Sequence, residues 1–316
     1  MSFEPSQGSD DGGTRRRACS VVAHRPDGAL VHGYLTRPPD SDEEQIPLLV
    51  LDGIGCYGWA FPEITPRIAA TRPVLHAHYR GHGPSPTPPR PWDLRMETLA
   101  HDAMALVNAA GFEGPVTILG YSMGFQVALE CVRHYSDRVC GLINIAGPSG
   151  RALSSFQGTD AFAHALPVLA GAARLARRMT DDIWRTLVPH RLAREIGIIT
   201  AVNGRRLPPN YFERYMGDLS RIHPELFLSM LEEANAHDGA DLLPTIEIPA
   251  QVIAGANDSF VPLAVLKRTA EQLPNASLSI IEDATHAVTA EYIPEVTGLI
   301  LDLLARVDDQ RASTLG

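Results

Sequence analysis

The chain has 316 residues, of which 45% are hydrophobic and 20% charged, proportions that exclude collagenous, coiled-coil and disordered classes. Thirty-seven acidic against 27 basic residues give a net charge of −10, which argues against a nucleic-acid or anionic-membrane footprint. No apolar run approaches the roughly 20 residues of a membrane span. The arginines at 15–17 are not followed by the apolar core of a signal peptide, so the expected location is the cytoplasm. Cys19, Cys56, Cys131 and Cys140 form no CxxC or paired framework; reduced thiols are expected and a structural zinc is unsupported.

Residues 1–17, mostly Ser, Gly, Asp and Arg, read as a disordered tail. Cys19–Ala23 and Ala29–Thr36 then read as paired strands around Pro26-Asp27-Gly28. Pro47–Leu51, Pro73–His78 and Val116–Leu119 are apolar runs, each leading into a glycine-containing turn, as expected of strands buried on both faces. Asp93–Ala110 carries an apolar stripe (Leu94, Leu99, Met104, Leu106, Val107) and stops at Gly111, so a helix is expected there. A helix over Gly124–Arg133 and strands at Val139–Ile145, Gln251–Ala254 and Ser277–Ile281 continue the alternation. Val288–Val307 closes it as a helix, with Pro294 near its start.

Residues 151–243 break this pattern. They show helical periodicity (Ala161–Met179, Ile183–Leu187, Arg191–Ile199, Tyr211–Met216, Glu225–Ala236) and no convincing strand. With 11 arginines and 11 acids the stretch is neutral, so the rest of the chain holds the whole negative charge. The expected organisation is a core of 18–150 and 244–316, with 151–243 inserted as a helical cap over the sheet's carboxyl edge.

The chemistry is concentrated in Leu119-Gly120-Tyr121-Ser122-Met123-Gly124, a G-x-S-x-G string at a strand-to-helix junction. Small residues at 120 and 124 allow a sharp turn that exposes the Ser122 hydroxyl. The same turn aims the Met123 N–H at the place where an oxyanion would form.

At these residues the chain resembles the α/β-hydrolase superfamily, over about residues 19–307. The resemblance implies an α/β fold: a mostly parallel eight-stranded sheet with helices on both faces and a triad in the order Ser, acid, His. Gly255-Ala256-Asn257-Asp258-Ser259-Phe260-Val261-Pro262 is similar to the family's G-x-x-D-x-x-V-P loop and nominates Asp258. Glu282-Asp283-Ala284-Thr285-His286 is similar to its terminal G-x-H segment, with Ala284 for the glycine, and nominates His286. A serine hydroxyl needs an imidazole to take its proton, and the imidazole needs a carboxylate to fix its tautomer.

By the same resemblance the second oxyanion donor is the Ile54 N–H, in Asp52-Gly53-Ile54-Gly55, where the family usually has His-Gly-x-G. Arg80-Gly81-His82-Gly83-Pro84-Ser85 resembles its D-x-R-G-x-G-x-S turn, with His78 at the place of the usual Asp. Because Asp52 and His78 exchange the two residue types, a hydrogen-bonded pair with a raised His78 pKa is expected. His76, His82 and His101 read as structural or surface residues, and Cys56 as a small buried thiol.

Gly53, Tyr57, Trp59, Phe162 and Leu166 are the candidate substrate-binding residues, although packing alone would also select the aromatic and aliphatic ones. Arg174, Arg177 and Arg178 read as a solvated face, with docking of an acidic carrier or a CoA phosphate as the sharper alternative. The expected enzyme cleaves a small-molecule ester or thioester, including acyl-carrier or CoA-linked acyl groups, without cofactor, metal or nucleic acid. A cofactor-free haloperoxidase (perhydrolase) using the same triad, and a binding protein that has lost catalysis, remain open on these residues.

Overall fold

The computed structural model describes residues 18–38, 45–58, 60–153, 161–188, 206–208 and 211–315. The tail at 1–17, the expected helix Arg191–Ile199 and Trp59 lie outside the described residues, as does the side chain of Phe162.

Eight strands form one sheet: β1 (Ala18–His24), β2 (Leu30–Thr36), β3 (Leu48–Leu51), β4 (Val74–His78), β5 (Val116–Tyr121), β6 (Val139–Ile145), β7 (Ala250–Gly255) and β8 (Ala276–Ile281). Their spatial order is β1-β2-β4-β3-β5-β6-β7-β8. β1, β2 and β4 pair antiparallel and every later pairing is parallel. The continuous apolar runs follow from this placement: β3, β4, β5 and β7 are buried at every residue, so both faces need apolar side chains.

Helices α1 (Ile64–Ile68), α2 (Met96–Ala109) and α3 (Met123–His134) lie in the first half of the chain. α8 (Leu263–Gln272), α9 (Val288–Glu291) and α10 (Ile293–Leu315) lie in the last third. Leu99, Met104, Val127 and Leu266 of α2, α3 and α8 share one core with Leu49, Leu75 and Val252. Ile64, Ile68, Val296, Ile300 and Leu304 of α1 and α10 share the other with Val50, Leu119 and Ile253. Alternate strand residues thus feed opposite helical layers.

Two expected helix bounds move for local reasons. α2 begins three residues late because the Asp93 carboxylate accepts from the Arg95 N–H (3.3 Å) and guanidinium (3.0 and 2.8 Å), holding that segment as a turn. The closing helix is two, broken at Tyr292 (φ −135°, ψ 54°). Pro294 sits in the first turn of α10, where its missing N–H costs nothing. Helices α1 and α8 carry no strong sequence signal of their own.

Between β6 and β7 the described residues form α4 (Ala161–Leu175), α5 (Arg177–Leu187), α6 (Tyr211–Leu219) and α7 (Pro224–Ala236), with no strand among them. This insertion rests on the loops that follow β3 and β4. Gly55 lies beneath Leu219, Phe227 and Tyr215, and Gly81 beneath Leu226. Arg90 forks onto the buried Glu225 carboxylate at 2.8 and 2.6 Å. Only part of the apolar sequence of α4 is buried. Leu166, Ala170 and Ala173 are buried, whereas Val168 and Leu175 are 73% and 91% exposed.

Arg80 holds the turn after β4 to α2. Its side chain is 2% exposed, with Nε 2.5 Å and Nη2 2.9 Å from the Asp102 carboxylate oxygens; Arg25 joins the same carboxylate at 2.8 Å. Removing one partner of a buried pair leaves an uncompensated charge. Arg80 keeps the part-exposed Asp27 carboxylate at 2.5 Å, so Asp102→Ala should lower unfolding stability by about 3 kcal/mol, the low end for a broken buried pair, read as an earlier urea midpoint.

Candidate active site

β5 runs into α3 with Ser122 at the junction, at φ 54° and ψ −125°. That region is costly for a residue with a Cβ, about 1–3 kcal/mol, and it is held from both sides. The Ser122 N–H donates to the Ile145 carbonyl (2.9 Å), and its carbonyl accepts from the Phe125 N–H (3.0 Å). A Cβ on Gly124 would stand 2.1 Å from the Leu51 carbonyl oxygen, and one on Gly120 2.5 Å from the Phe125 Cα. Glycine is thus required at both places by close backbone approach.

Three side chains converge there from three separate loops. His286 Nε2 lies 2.9 Å from Ser122 Oγ, and His286 Nδ1 lies 2.8 Å from Asp258 Oδ2. The other oxygen, Asp258 Oδ1, accepts the N–H groups of Phe260 (2.8 Å) and Val261 (2.9 Å), which fixes the carboxylate. The Asp258 side chain has no exposed surface and His286 keeps 14%, so the imidazole is the accessible member of that pair. Tyr121 donates its hydroxyl to the His286 carbonyl (3.0 Å), and the Phe260 ring lies 4.9 Å from the imidazole. Thr285 donates through its N–H (2.8 Å) and hydroxyl (2.6 Å) to the buried Glu291 carboxylate, bracing the same loop. Ala284 is fully buried, and the non-glycine residues at positive φ are Ser122 and Ala146, so the departure from glycine at 284 strains nothing.

Gly53 packs against Ser122; a Cβ there would stand 3.1 Å from the serine Cβ and 3.6 Å from its Oγ. Among the described residues, no hydrogen bond uses the N–H of Met123 or of Ile54. Tyr57 donates its hydroxyl to Asp218 on α6 and turns its ring edge to His78. Leu166, at 1% exposure, lies within α4, which packs on α7.

The expected pairing of Asp52 with His78 is wrong. Asp52 Oδ2 is instead bonded to His76 Nε2 (2.7 Å) and accepts the Gly58 N–H (2.6 Å). β3 ends at Leu51, and the turn that follows brings Gly58 over the carboxylate, drawing it back to the earlier histidine on the same face of β4. Burial would raise the Asp52 pKa, but the His76 imidazole and the Gly58 N–H outweigh it and hold the carboxyl below its usual range.

His78 stacks on His76 (ring centroids 5.4 Å, 18° between planes), and Tyr34 and Tyr57 present their edges to it. Neither of its nitrogens has a hydrogen-bond partner among the described residues. Its pKa is pushed down to about 3, by burial first and then by His76, the opposite of the expected rise. His82, read from sequence as merely structural, accepts the Gly55 N–H at Nε2 (3.1 Å), with its Nδ1 3.0 Å from the Arg80 carbonyl. That pair of partners requires the neutral ring, and burial pushes its pKa down to about 4.

The sheet order, the strained serine on a strand-to-helix elbow and the Asp–His–Ser chain define the α/β-hydrolase class of protein. The family model described as alpha/beta hydrolase fold matches residues 46–291, and the chain belongs to that family. Among curated relatives it is similar to the pimeloyl-[acyl-carrier protein] methyl ester esterase of Neisseria meningitidis serogroup B, 28% identical over 258 residues, 81% of this chain and 91% of that one. Among solved structures it is similar to a thermophilic esterase from Thermogutta terrifontis (TM-score 0.70, 22% identity, covering 92% of this chain and 99% of that one). It is also similar to a bromoperoxidase from Bacillus anthracis (TM-score 0.70, 20% identity, 91% and 100%). No helix of the described residues is long and apolar enough to cross a membrane.

The depressed histidines make a stability prediction. Between about pH 6.5 and the folded-state values of about 3 and about 4, the unfolded chain binds protons that the folded chain refuses. Stability therefore falls as the pH drops through that window. From pH 7 to pH 5 each of His78 and His82 should cost about 2 kcal/mol. His78→Leu should remove about half of that joint loss in urea titrations at the two pH values. An unchanged loss would contradict a buried, neutral His78.

Proposed function

We propose that the protein hydrolyses carboxylic esters or thioesters through an acyl-enzyme formed on Ser122. The observation that carries this reading is the unbroken chain from Asp258 Oδ2 through His286 to Ser122 Oγ, at 2.8 and 2.9 Å. In the first half-reaction Ser122 Oγ attacks the carbonyl carbon and His286 Nε2 takes the hydroxyl proton. As the bond to the leaving group breaks, the same nitrogen returns that proton to the leaving oxygen or sulfur. In the second half, water loses a proton to His286, attacks the acyl carbon and releases the acid, restoring the serine. Asp258 keeps the imidazole in the tautomer with Nε2 available and stabilises its cation.

The Met123 and Ile54 N–H groups serve as the oxyanion donors, aided by the N-terminus of α3. The neutral His82 orients the Ile54 turn through its neighbour Gly55. His76 and the Gly58 N–H hydrogen-bond the Asp52 carboxylate, which left bare would oppose negative charge developing at that turn.

Residues 151–243 act as the cap, seated on the loops that carry Gly55 and Gly81. Gly53, which packs against Ser122, and Tyr57 border the acyl site, and Leu166 acts on it through α7. The carrier-protein ester in the name of the Neisseria relatives supports a carrier-linked acyl ester as the finer substrate class.

The test is Ser122→Ala with a panel of esters and thioesters of graded acyl length. Turnover should fall about 10⁴-fold or more on every substrate while the melting midpoint changes little, because the substitution removes one half-buried hydroxyl whose hydrogen bond is to the accessible His286. Hydrolysis near the wild-type rate would overturn the reading.

A further inference from the structure

Helices α2 and α3 each carry a Glu-x-x-x-His spacing, Glu97–His101 and Glu130–His134, and they pack side by side on the outer layer. Residues four apart share one helix face. The packing turns both spacings toward one point, at the opposite end of α3 from the Ser122 elbow.

Glu97, His101 and His134 each present a ligand-type atom there, all within 4.8 Å of one another. His101 Nε2 and His134 Nε2 lie 3.8 and 3.7 Å from the same oxygen, Glu97 Oε1. These separations are too long for hydrogen bonds. They are close to the ~3.4 Å between neighbouring donors around a tetrahedral ion with ~2.0–2.1 Å bonds. The groups thus surround a common point and do not bond to each other.

The surroundings match what holds a metal-binding imidazole in place. His101 Nδ1 is 2.7 Å from the Tyr135 hydroxyl, which leaves Nε2 as the ligand nitrogen and fixes the ring. Glu130 Oε2 lies 3.4 Å from His134 Nε2 itself, so this carboxylate adds negative charge beside the common point and does not hold the ring from behind. Its other oxygen is held by His237 (2.8 Å) and Arg133 (3.2 Å). His101, His134 and Glu97 side chains retain 35%, 31% and 38% exposure, so an ion reaches them from solvent.

We propose that Glu97, His101 and His134 form a binding site for a zinc-class divalent transition metal, with the fourth position open to water. Two imidazoles and one carboxylate select borderline ions over calcium or magnesium, which prefer all-oxygen shells. An ion there ties the first turns of α2 to the far end of α3, the helix that begins at the serine elbow. The absence of cysteine spacing is no guide to it, since every ligand is His or Glu.

The experiment is zinc titration of the chelator-treated full-length protein by calorimetry and thermal melting. One zinc ion should bind per chain and raise the melting midpoint by a few degrees. The double variant His101→Ala/His134→Ala should weaken binding at least 100-fold and abolish the zinc-dependent shift, with its melt in chelator close to wild type. Glu97→Gln, at an exposed position, provides the same reading if the double variant folds poorly. Tyr135→Phe should weaken binding about tenfold by freeing the His101 ring. Failure of the wild type to take up zinc, or variants that bind it as tightly as the wild type, would overturn the proposal.

Discussion

The approach of α3 to the end of β3 constrains everything around the serine. With Gly124 pressed under the Leu51 carbonyl, the helix can start only directly after Ser122. The serine must then take a positive φ, which the Ile145 and Phe125 hydrogen bonds sustain. Its hydroxyl and the first helical N–H groups consequently face one way, toward the loops after β3, β7 and β8. The loops after β7 and β8 bring Asp258 and His286 to that hydroxyl. The central parallel strands are buried on both faces, and this rigid support keeps such a turn from relaxing.

Beneath the turn after β3 lies a second polar layer, and its chemistry is that of neutralisation. Asp52 is 1% exposed and carries its charge into the protein, where His76 and the Gly58 N–H hold it. His82 spends both ring nitrogens on backbone groups of two different loops. His78 has no polar partner among the described residues and sits among aromatic rings, so it remains uncharged. Three histidines on two consecutive segments thus have three different environments: charge partner, backbone brace and aromatic filler.

The fold was legible because burial on both faces demands largely apolar strands, and β3, β4, β5 and β7 announce themselves that way. The hydrogen-bonded chain from Asp258 through His286 to Ser122 was legible because its residues sit in short turns with strong local requirements: glycines at 120 and 124, and an Asp whose own N–H partners lie two and three residues ahead. What was not legible depends on side-chain direction. Register places Asp52 beside either histidine of β4, and only the path of the loop to Gly58 decides for His76. On α4, Val168 and Leu175 share composition, but not orientation, with Leu166. The brace from His82 bonds only to backbone groups and that from Glu291 partly so, and backbone partners leave no mark in the sequence.

The central claim is that Ser122 is acylated. Mixing the protein with an activated ester, quenching in acid within the first turnovers and measuring intact mass tests it directly. The account predicts a single adduct with the mass of the acyl group, located in the peptide containing Ser122 and absent from Ser122→Ala. Turnover without any adduct, or an adduct residing on Cys56, would contradict it.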